Sequence, residues 1–156
     1  MGEQESTAST IISFAQNLEE QSLKFYEELA QKFAEYRETF LSFIKESKTN
    51  KVSIMRSYQE TVTDAFETGF SFKGLNLSEY AVDTKILKNN DIADALEKAI
   101  ELEDKTSRYY SVVAQKSKGL LATISTDFAR ISEKRRKRKP ILESLLAKIS
   151  ACRLIK

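Results

Sequence analysis

The chain has 156 residues, a length that fits one domain with a single hydrophobic core. Four glycines and one proline leave few breaks in a composition rich in helix-forming residues, so long helices and an all-α fold are expected. The 25 basic and 23 acidic side chains nearly cancel, and this overall balance points to neither nucleic acid nor an acidic membrane as a partner.

An apolar stripe with steps of three and four residues predicts the first helix, and one acid interrupts it. The stripe consists of Ile12, Ala15, Glu19, Ser22, Tyr26, Leu29 and Phe33. Residues at these steps lie on one face of an α-helix. Glu19 therefore falls where a core residue belongs. Ser6, Thr7 or Ser9 is expected to cap the start of this helix.

The second stripe is polar on two adjacent turns, and a long connection follows it. The stripe consists of Phe40, Phe43, Ser47, Asn50 and Ile54. The helix is expected to run on toward Phe66. Residues from about Thr68 to Asn90 lack the helical period and predict a long connection, with a short extended piece at Phe70 to Leu77. Such a connection would let the third helix run parallel to the second.

Two further stripes predict the third and fourth helices, again with charged residues at their centres. The third consists of Ile92, Leu96, Ala99, Glu103, Thr106, Tyr110 and Val113. The fourth consists of Phe128, Ile131, Arg135, Arg138, Leu142, Leu145 and Ile149. Pro140 lies inside the fourth stripe, so a kink or break is expected near Lys139, with a short fifth helix after it as the alternative.

The two halves of the chain repeat each other, which indicates a duplicated helical hairpin. The matched pairs are Glu19 with Glu103, Tyr26 with Tyr110, Phe40 with Phe128, Ser47 with Arg135, and Asn50 with Arg138. The spacing within each half is the same. One domain over 1–156 is expected, built from hairpins at about 8–67 and 91–150.

These residues resemble the rubrerythrin-type, ferritin-like family, which is a four-helix bundle with two metal ions in its core. In that family the first and third helices each supply a Glu and the second and fourth each supply a Glu-x-x-His pair. Glu19, leading to Phe25-Tyr26, and Glu103, leading to Tyr109-Tyr110, resemble the two single acids. Counting from the phenylalanine that leads each of the other two helices puts one ligand pair at Ser47 and Asn50 and the other at Arg135 and Arg138.

The resemblance implies the family's fold without its metals. Four of the six implied ligands are replaced, and the chain has no histidine. Two glutamates cannot complete a di-iron site, and two arginines would repel its cations. We therefore expect a Glu–Arg network in the core, no cofactor, no catalytic residue and a structural or interaction role. Tyr26 and Tyr110 are candidates for hydrogen bonding to the acids.

Two alternatives to this interpretation stay open. Iron or manganese could bind an altered ligand set of Glu19 and Glu103 with Glu46 or Glu133, giving an iron-handling protein or a rubrerythrin-like oxidoreductase that acts on peroxide or oxygen. The basic run 134–139 could instead bind nucleic acid. A solvated cationic face near a helix end is the more ordinary interpretation of such a run.

The remaining features predict where the protein works and with what. Cys152 has no cysteine to pair with in the chain. No apolar run is long enough for a membrane span, and Met1 to Thr10 lacks the apolar core of a signal peptide. A cytoplasmic location without membrane contact is expected. The resemblance also implies a homodimer, and any other protein partner is unknown.

Overall fold

A computed structural model describes residues 5–63, 71–118 and 122–155, which form mainly four long helices. The helices are α1 (Ala8–Lys32), α2 (Arg37–Thr63), α3 (Ile92–Ser117) and α4 (Ala122–Ile155). Two short 3₁₀ helices also occur, at Ala34–Tyr36 and Leu77–Tyr80. The prediction of an all-α helical bundle is confirmed. The expected extension of α2 toward Phe66 lies outside the described residues.

A pair of three-residue strands precedes α1 and crosses to the connection between α2 and α3. Strands β1 (Glu5–Thr7) and β2 (Ser71–Lys73) are antiparallel, with Ser6 opposite Phe72. Strand β2 lies within the predicted extended piece, whereas β1 was not predicted. Thr7 then caps α1, since its hydroxyl accepts a hydrogen bond of 3.1 Å from the Thr10 amide.

The four helices surround the core in the order α1, α2, α4, α3. Within each hairpin the helices are antiparallel. Helices α1 and α3 are also antiparallel, because Ile11 near the start of α1 contacts Tyr109 late in α3, while Tyr26 contacts Glu103. Helices α2 and α3 therefore run parallel and occupy opposite corners of the bundle.

Residues 71–91 lie against α1 and α3 and are held there by side chains from both helices. Lys98 and Lys105 of α3 donate hydrogen bonds of 2.8 and 3.2 Å to the carbonyls of Lys85 and Ala81. Gln21 of α1 donates another, of 2.6 Å, to a carbonyl of the same segment. The buried side chains of this segment are Phe72, Leu75 and Val82. These hydrogen bonds satisfy backbone carbonyls that have no partner within a helix.

The core consists of two apolar clusters with a polar layer between them. One cluster lies toward the start of α1 and includes Ile11, Ile54 and Phe128. The other lies toward the end of α1 and includes Leu29 and Leu142. The buried polar residues between them are Glu19, Ser22, Ser47, Asn50, Glu103, Thr106, Ser107, Ser132, Arg135 and Arg138. The polar stripe positions of the sequence thus meet at mid-bundle.

Helix α4 continues through Pro140, so of the expected kink or break near Lys139 the break is wrong, and so is the alternative of a separate fifth helix. Pro140 is exposed, and the carbonyl that loses its helical partner can bond to solvent. Burial of Phe128 before the proline and Leu142 after it keeps both halves of the helix on the core. None of the helices formed by residues 5–63, 71–118 and 122–155 combines the length and apolarity that a membrane span requires.

Candidate functional site

The polar layer brings together all six positions that the sequence singled out. Glu19 comes from α1 and Glu103 from α3, and both are fully buried. The three-and-four spacing of each stripe puts these residues on the inner face of their helices. The other four positions are also buried, and they are Ser47 and Asn50 on α2 and Arg135 and Arg138 on α4.

Arg135 lies between the two buried carboxylates and contacts both. Its Nε and Nη2 donate hydrogen bonds of 2.7 and 3.2 Å to the two oxygens of Glu103, and its Nη1 donates one of 2.9 Å to Glu19. Nη1 also donates to the hydroxyl of Ser47 at 3.2 Å and Nη2 to that of Ser22 at 2.9 Å. A guanidinium has five N–H donors, so the donors of Arg135 are matched by five acceptor contacts.

Arg138 extends the network from the buried layer to the edge of the bundle. Its Nη1 is 3.4 Å from Glu103, and its Nη2 donates to the Phe43 carbonyl and the Ser47 hydroxyl at 3.2 and 3.0 Å. Its Nε donates to Glu46 at 2.8 Å. The Glu46 side chain is 33% exposed, so this outermost ion pair of the network meets solvent.

The two tyrosines donate to the acids in a crossed pattern. The Tyr26 hydroxyl donates to Glu103 at 2.5 Å, and the Tyr110 hydroxyl donates to Glu19 at 2.6 Å. Each half of the chain therefore supplies the phenol for the acid of the other half. Short hydrogen bonds to a carboxylate are stronger than neutral ones, so this pattern joins the two hairpins at the centre of the molecule.

The surroundings fix the charges of the layer at neutral pH. Burial by itself would raise the pKa of Glu19, but the charges of Arg135 and Arg138 and two hydrogen bonds outweigh it and lower that pKa. Burial opposes the charge of Arg135, yet the neighbouring carboxylates raise its pKa further. Burial and the carboxylates raise the pKa of Tyr26 and Tyr110 well above the ordinary value. Glu19 and Arg135 are thus ionised, and the phenols stay protonated.

The amide oxygen of Asn50 and the hydroxyl of Thr106 are buried and have no hydrogen-bond partner in the part of the chain that the structure describes. The amide nitrogen of Asn50 donates to Glu19 at 3.3 Å. An unsatisfied buried polar atom has a desolvation cost of about 1–3 kcal/mol. The hydrogen bonding of the layer is therefore dense around Arg135 and incomplete beside Asn50.

The donor set does not fit a metal centre. The guanidinium of Arg135 lies between Glu19 and Glu103, where metal ions would have to bind both acids. The acids considered as substitute ligands are engaged elsewhere, because Glu46 contacts Arg138 and Glu133 pairs with Arg136 at the surface. Across residues 5–63, 71–118 and 122–155, no group of three or more acidic or cysteine side chains is placed to hold a metal ion.

The basic run 134–139 is divided between core and surface. Arg135 and Arg138 point into the polar layer. Arg136 pairs with Glu133 at 2.9 Å, and Lys139 pairs with Asp104 at 3.2 Å. Lys134 and Lys137 are the members of the run with no ion pair among the described residues. This arrangement leaves Lys134 and Lys137 as the unpaired positive charges of the run for the nucleic-acid alternative.

Two residues of the network carried a sequence signal that pointed elsewhere. Ser22 lies on the first stripe one turn from Glu19 and was counted only as a small core residue, although it accepts a hydrogen bond from Arg135. Glu46 was considered as a metal ligand and instead pairs with Arg138. The signal that could have predicted this ion pair is the position of Glu46, an acid beside the inner stripe of α2, in a chain whose fourth stripe places two arginines in the core.

Comparison of the chain with protein-family models, with curated proteins and with solved structures gives no match. The single free cysteine, Cys152, is exposed near the end of α4. Because no match assigns a function, the geometry of the polar layer is the basis for the functional proposal.

Proposed function

We propose that this protein is a non-catalytic, ferritin-like bundle of rubrerythrin type in which an arginine–carboxylate network takes the place of the two metal ions. Its role is structural or interactive: a rigid bundle that presents its outer faces to a protein partner, including further copies of itself. A cytoplasmic location and the absence of a cofactor belong to the same proposal. The observation that carries it is the position of Arg135, which donates to Glu19 and Glu103 at once.

Charge balance supports the proposal. A di-metal centre and a pair of arginines can both compensate buried carboxylates, because each brings positive charge and directed bonds to the same oxygens. Here Arg135 and Arg138 balance Glu19 and Glu103, and the guanidinium of Arg135 binds both oxygens of Glu103. A planar guanidinium with fixed donors has no proton to exchange at physiological pH and no accessible redox state. The layer thus has the charge balance of a metal site without its chemistry.

The experiment is metal analysis of protein produced in medium supplemented with iron and manganese, together with thermal unfolding in the presence of each metal. Metal below stoichiometric amounts and an unfolding temperature that the metals do not raise are the expected results. A bound metal would stabilise the folded state by mass action. Roughly two metals per chain, the stoichiometry of the ferritin-like di-metal sites, would overturn the proposal.

A restoration variant tests whether the six positions match those of the family. Replacing Ser47→Glu, Asn50→His, Arg135→Glu and Arg138→His recreates two Glu-x-x-His pairs opposite Glu19 and Glu103. We expect this variant to bind roughly two iron or manganese ions and to unfold at a higher temperature when metal is present.

The control for the restoration variant is the same protein with Glu19→Gln and Glu103→Gln in addition, which should lose most of the metal affinity. A folded restoration variant that binds no more metal than the control would show that these positions are not the family's ligand positions.

A further inference from the structure

Helix α2 presents a line of exposed basic and apolar side chains, called here the basic ridge. Its members are Lys45, Lys48, Val52, Met55 and Arg56. Steps of three and four residues put them on one side of the helix, away from the core. Val52 is 59% exposed and Met55 41% exposed, high values for apolar side chains at the centre of a charged surface. The groove beside them, between α1 and α2, has a volume of about 520 Å³.

Helix α3 presents a line of acids, called here the acidic ridge. Its members are Asp94, Glu97, Glu101 and Asp104, again at steps of three and four residues on the solvent side. Asp104 is compensated by its own neighbours on α3 and α4. Glu101 is 3.4 Å from Lys105, whose side chain is 28% exposed, and Glu97 makes no ion pair with any described residue. Lys98, Lys105 and Arg108 flank the ridge on the same helix, and each is engaged with a carbonyl or an acid. Glu97, at the centre of the ridge, has no such partner among the described residues.

The two ridges cannot neutralise each other within one molecule. Helices α2 and α3 occupy opposite corners of the bundle, so the ridges face in opposite directions. A two-fold dimer would have to bring both ridges to one side to pair them reciprocally, which this placement forbids. Contact between the basic ridge of one copy and the acidic ridge of the next is head-to-tail and leaves a free ridge at each end.

We propose that the basic ridge of one molecule docks on the acidic ridge of a second copy, so that the protein assembles head to tail through α2 and α3. This inference rests on the proposed structural role and names the partner of that role. Both ridges extend for about 15 Å along their helices, from Lys45 to Arg56 and from Asp94 to Asp104, so their lengths match. Docking also removes Val52 and Met55 from water.

The experiment compares sedimentation of the full chain with that of charge-reversed variants, at low and at high salt and over a wide range of concentration. One variant reverses the basic ridge (Lys45→Glu, Lys48→Glu) and another the acidic ridge (Glu97→Lys, Glu101→Lys). A third carries all four changes. Two controls reverse equal charge elsewhere, on α4 (Lys137→Glu, Lys148→Glu) and on α1 (Glu27→Lys, Glu28→Lys). All these side chains are exposed or nearly so, and circular dichroism checks that each variant folds.

The wild-type chain is expected to sediment faster as its concentration rises at low salt and to become monomeric at high salt. Each single-ridge variant should weaken the association more than tenfold, because like charges then face each other. A mixture of the two single-ridge variants should associate again, as should the four-change variant, while both controls behave as the wild type. This restoration follows only if the two ridges meet.

A monomeric wild-type chain at every concentration and low salt would overturn the assembly. Association that only the basic-ridge changes weaken, with no recovery in the mixture, would also overturn it and would indicate another acidic partner for α2. Either result leaves the metal-free core intact, whereas bound metal in the core would contradict the proposed function and leave the ridges unaffected. The two failures are therefore distinguishable.

Discussion

The same basic run of α4 supplies both the most buried and some of the most exposed ion pairs of this protein. Arg135 and Arg138 are fully inside the bundle, and Arg136 and Lys139, their direct neighbours, pair with acids at the surface. The residue types and the helix are the same, and only the side of the helix differs. Position on the helix, and not the charge of the run, therefore decides what each cation does.

The two kinds of pair differ in what surrounds them. In a surface pair such as Lys139 with Asp104, water and salt ions compete with the contact between the two side chains. Such a pair contributes about 0–1 kcal/mol to the free energy of unfolding. The buried layer has already lost its water, so breaking one pair there leaves an uncompensated charge in a low-dielectric interior. The layer contributes little net stability, but the loss of any one of its charged side chains strongly destabilises the fold. Substitutions along α4 can measure this difference.

Removing the central cation should have the largest effect. Arg135→Met leaves Glu19 and Glu103 buried with only Arg138 nearby, and should lower the free energy of unfolding by about 3–5 kcal/mol. Urea unfolding followed by circular dichroism measures this loss. Arg136→Met, one residue away, should change the value by no more than about 0.5 kcal/mol.

The same loss should be partly reversible, which distinguishes charge from packing. Adding Glu19→Gln to Arg135→Met leaves Glu103 and Arg138 as a neutral pair in contact, so more than half of the stability should return. Glu103→Gln in its place leaves Glu19 and Arg138 as the remaining charges, which make no hydrogen bond with each other, and should restore less. Equal behaviour of the two double variants would contradict the contacts of Arg138.

Neutralising one acid of the layer should give an intermediate effect that depends on pH. Glu19→Gln removes a carboxylate that accepts from Arg135, Tyr110 and Asn50, and should lower the free energy of unfolding by about 1.5–3 kcal/mol at neutral pH. The pKa of Glu19 is lowered by folding, so its contribution is present above the ordinary value of 4.5 and is lost as the pH falls through the folded value.

Denaturant unfolding of both proteins from pH 7 downward measures this dependence. The difference between wild type and Glu19→Gln should stay constant down to about pH 4.5 and shrink below it. A difference that grows toward low pH would mean that folding raises the pKa of Glu19. That result would contradict the compensation by Arg135.

Breaking a surface pair should give the smallest effect. Lys139→Ala removes the partner of Asp104 at the exposed side of α4, and should change the free energy of unfolding by less than about 1 kcal/mol, and by less still at high salt. The same urea titration measures it. A loss as large as that of Arg135→Met would show that the division between the two faces of α4 is wrong.

The helices and the composition of the polar layer could be predicted from the sequence, because both depend on a local period. Steps of three and four residues identify the inner face of a helix whatever occupies it, so Glu19 and Glu103 could be assigned to the core from spacing alone. The equivalent spacing in the two halves also assigned Ser47, Asn50, Arg135 and Arg138 to equivalent inner positions. Residue type limited the cap of α1 to Ser6, Thr7 or Ser9, and the structure shows that Thr7 is the cap.

The pairing within the layer could not be predicted in the same way. The relative rotation of three helices decides which acid Arg135 binds. The spacing of residues within each helix does not determine that rotation. The hydrogen bonds that hold the connection go to backbone carbonyls, for example from Lys98 to Lys85, and any residue type supplies such an acceptor. The continuation of α4 through Pro140 depended on tertiary burial outweighing a local preference.

The crossed hydrogen bonds of Tyr26 and Tyr110 have a consequence for how the chain folds. The first hairpin cannot compensate Glu19 alone, since Tyr110 and Arg135 both come from the other half, whereas the second hairpin pairs Glu103 with its own Arg135. A first hairpin that collapsed alone would enclose an uncompensated carboxylate and be unstable. The first half thus has no independent folded state, and the molecule should fold and unfold as one cooperative unit whose completion waits for α4.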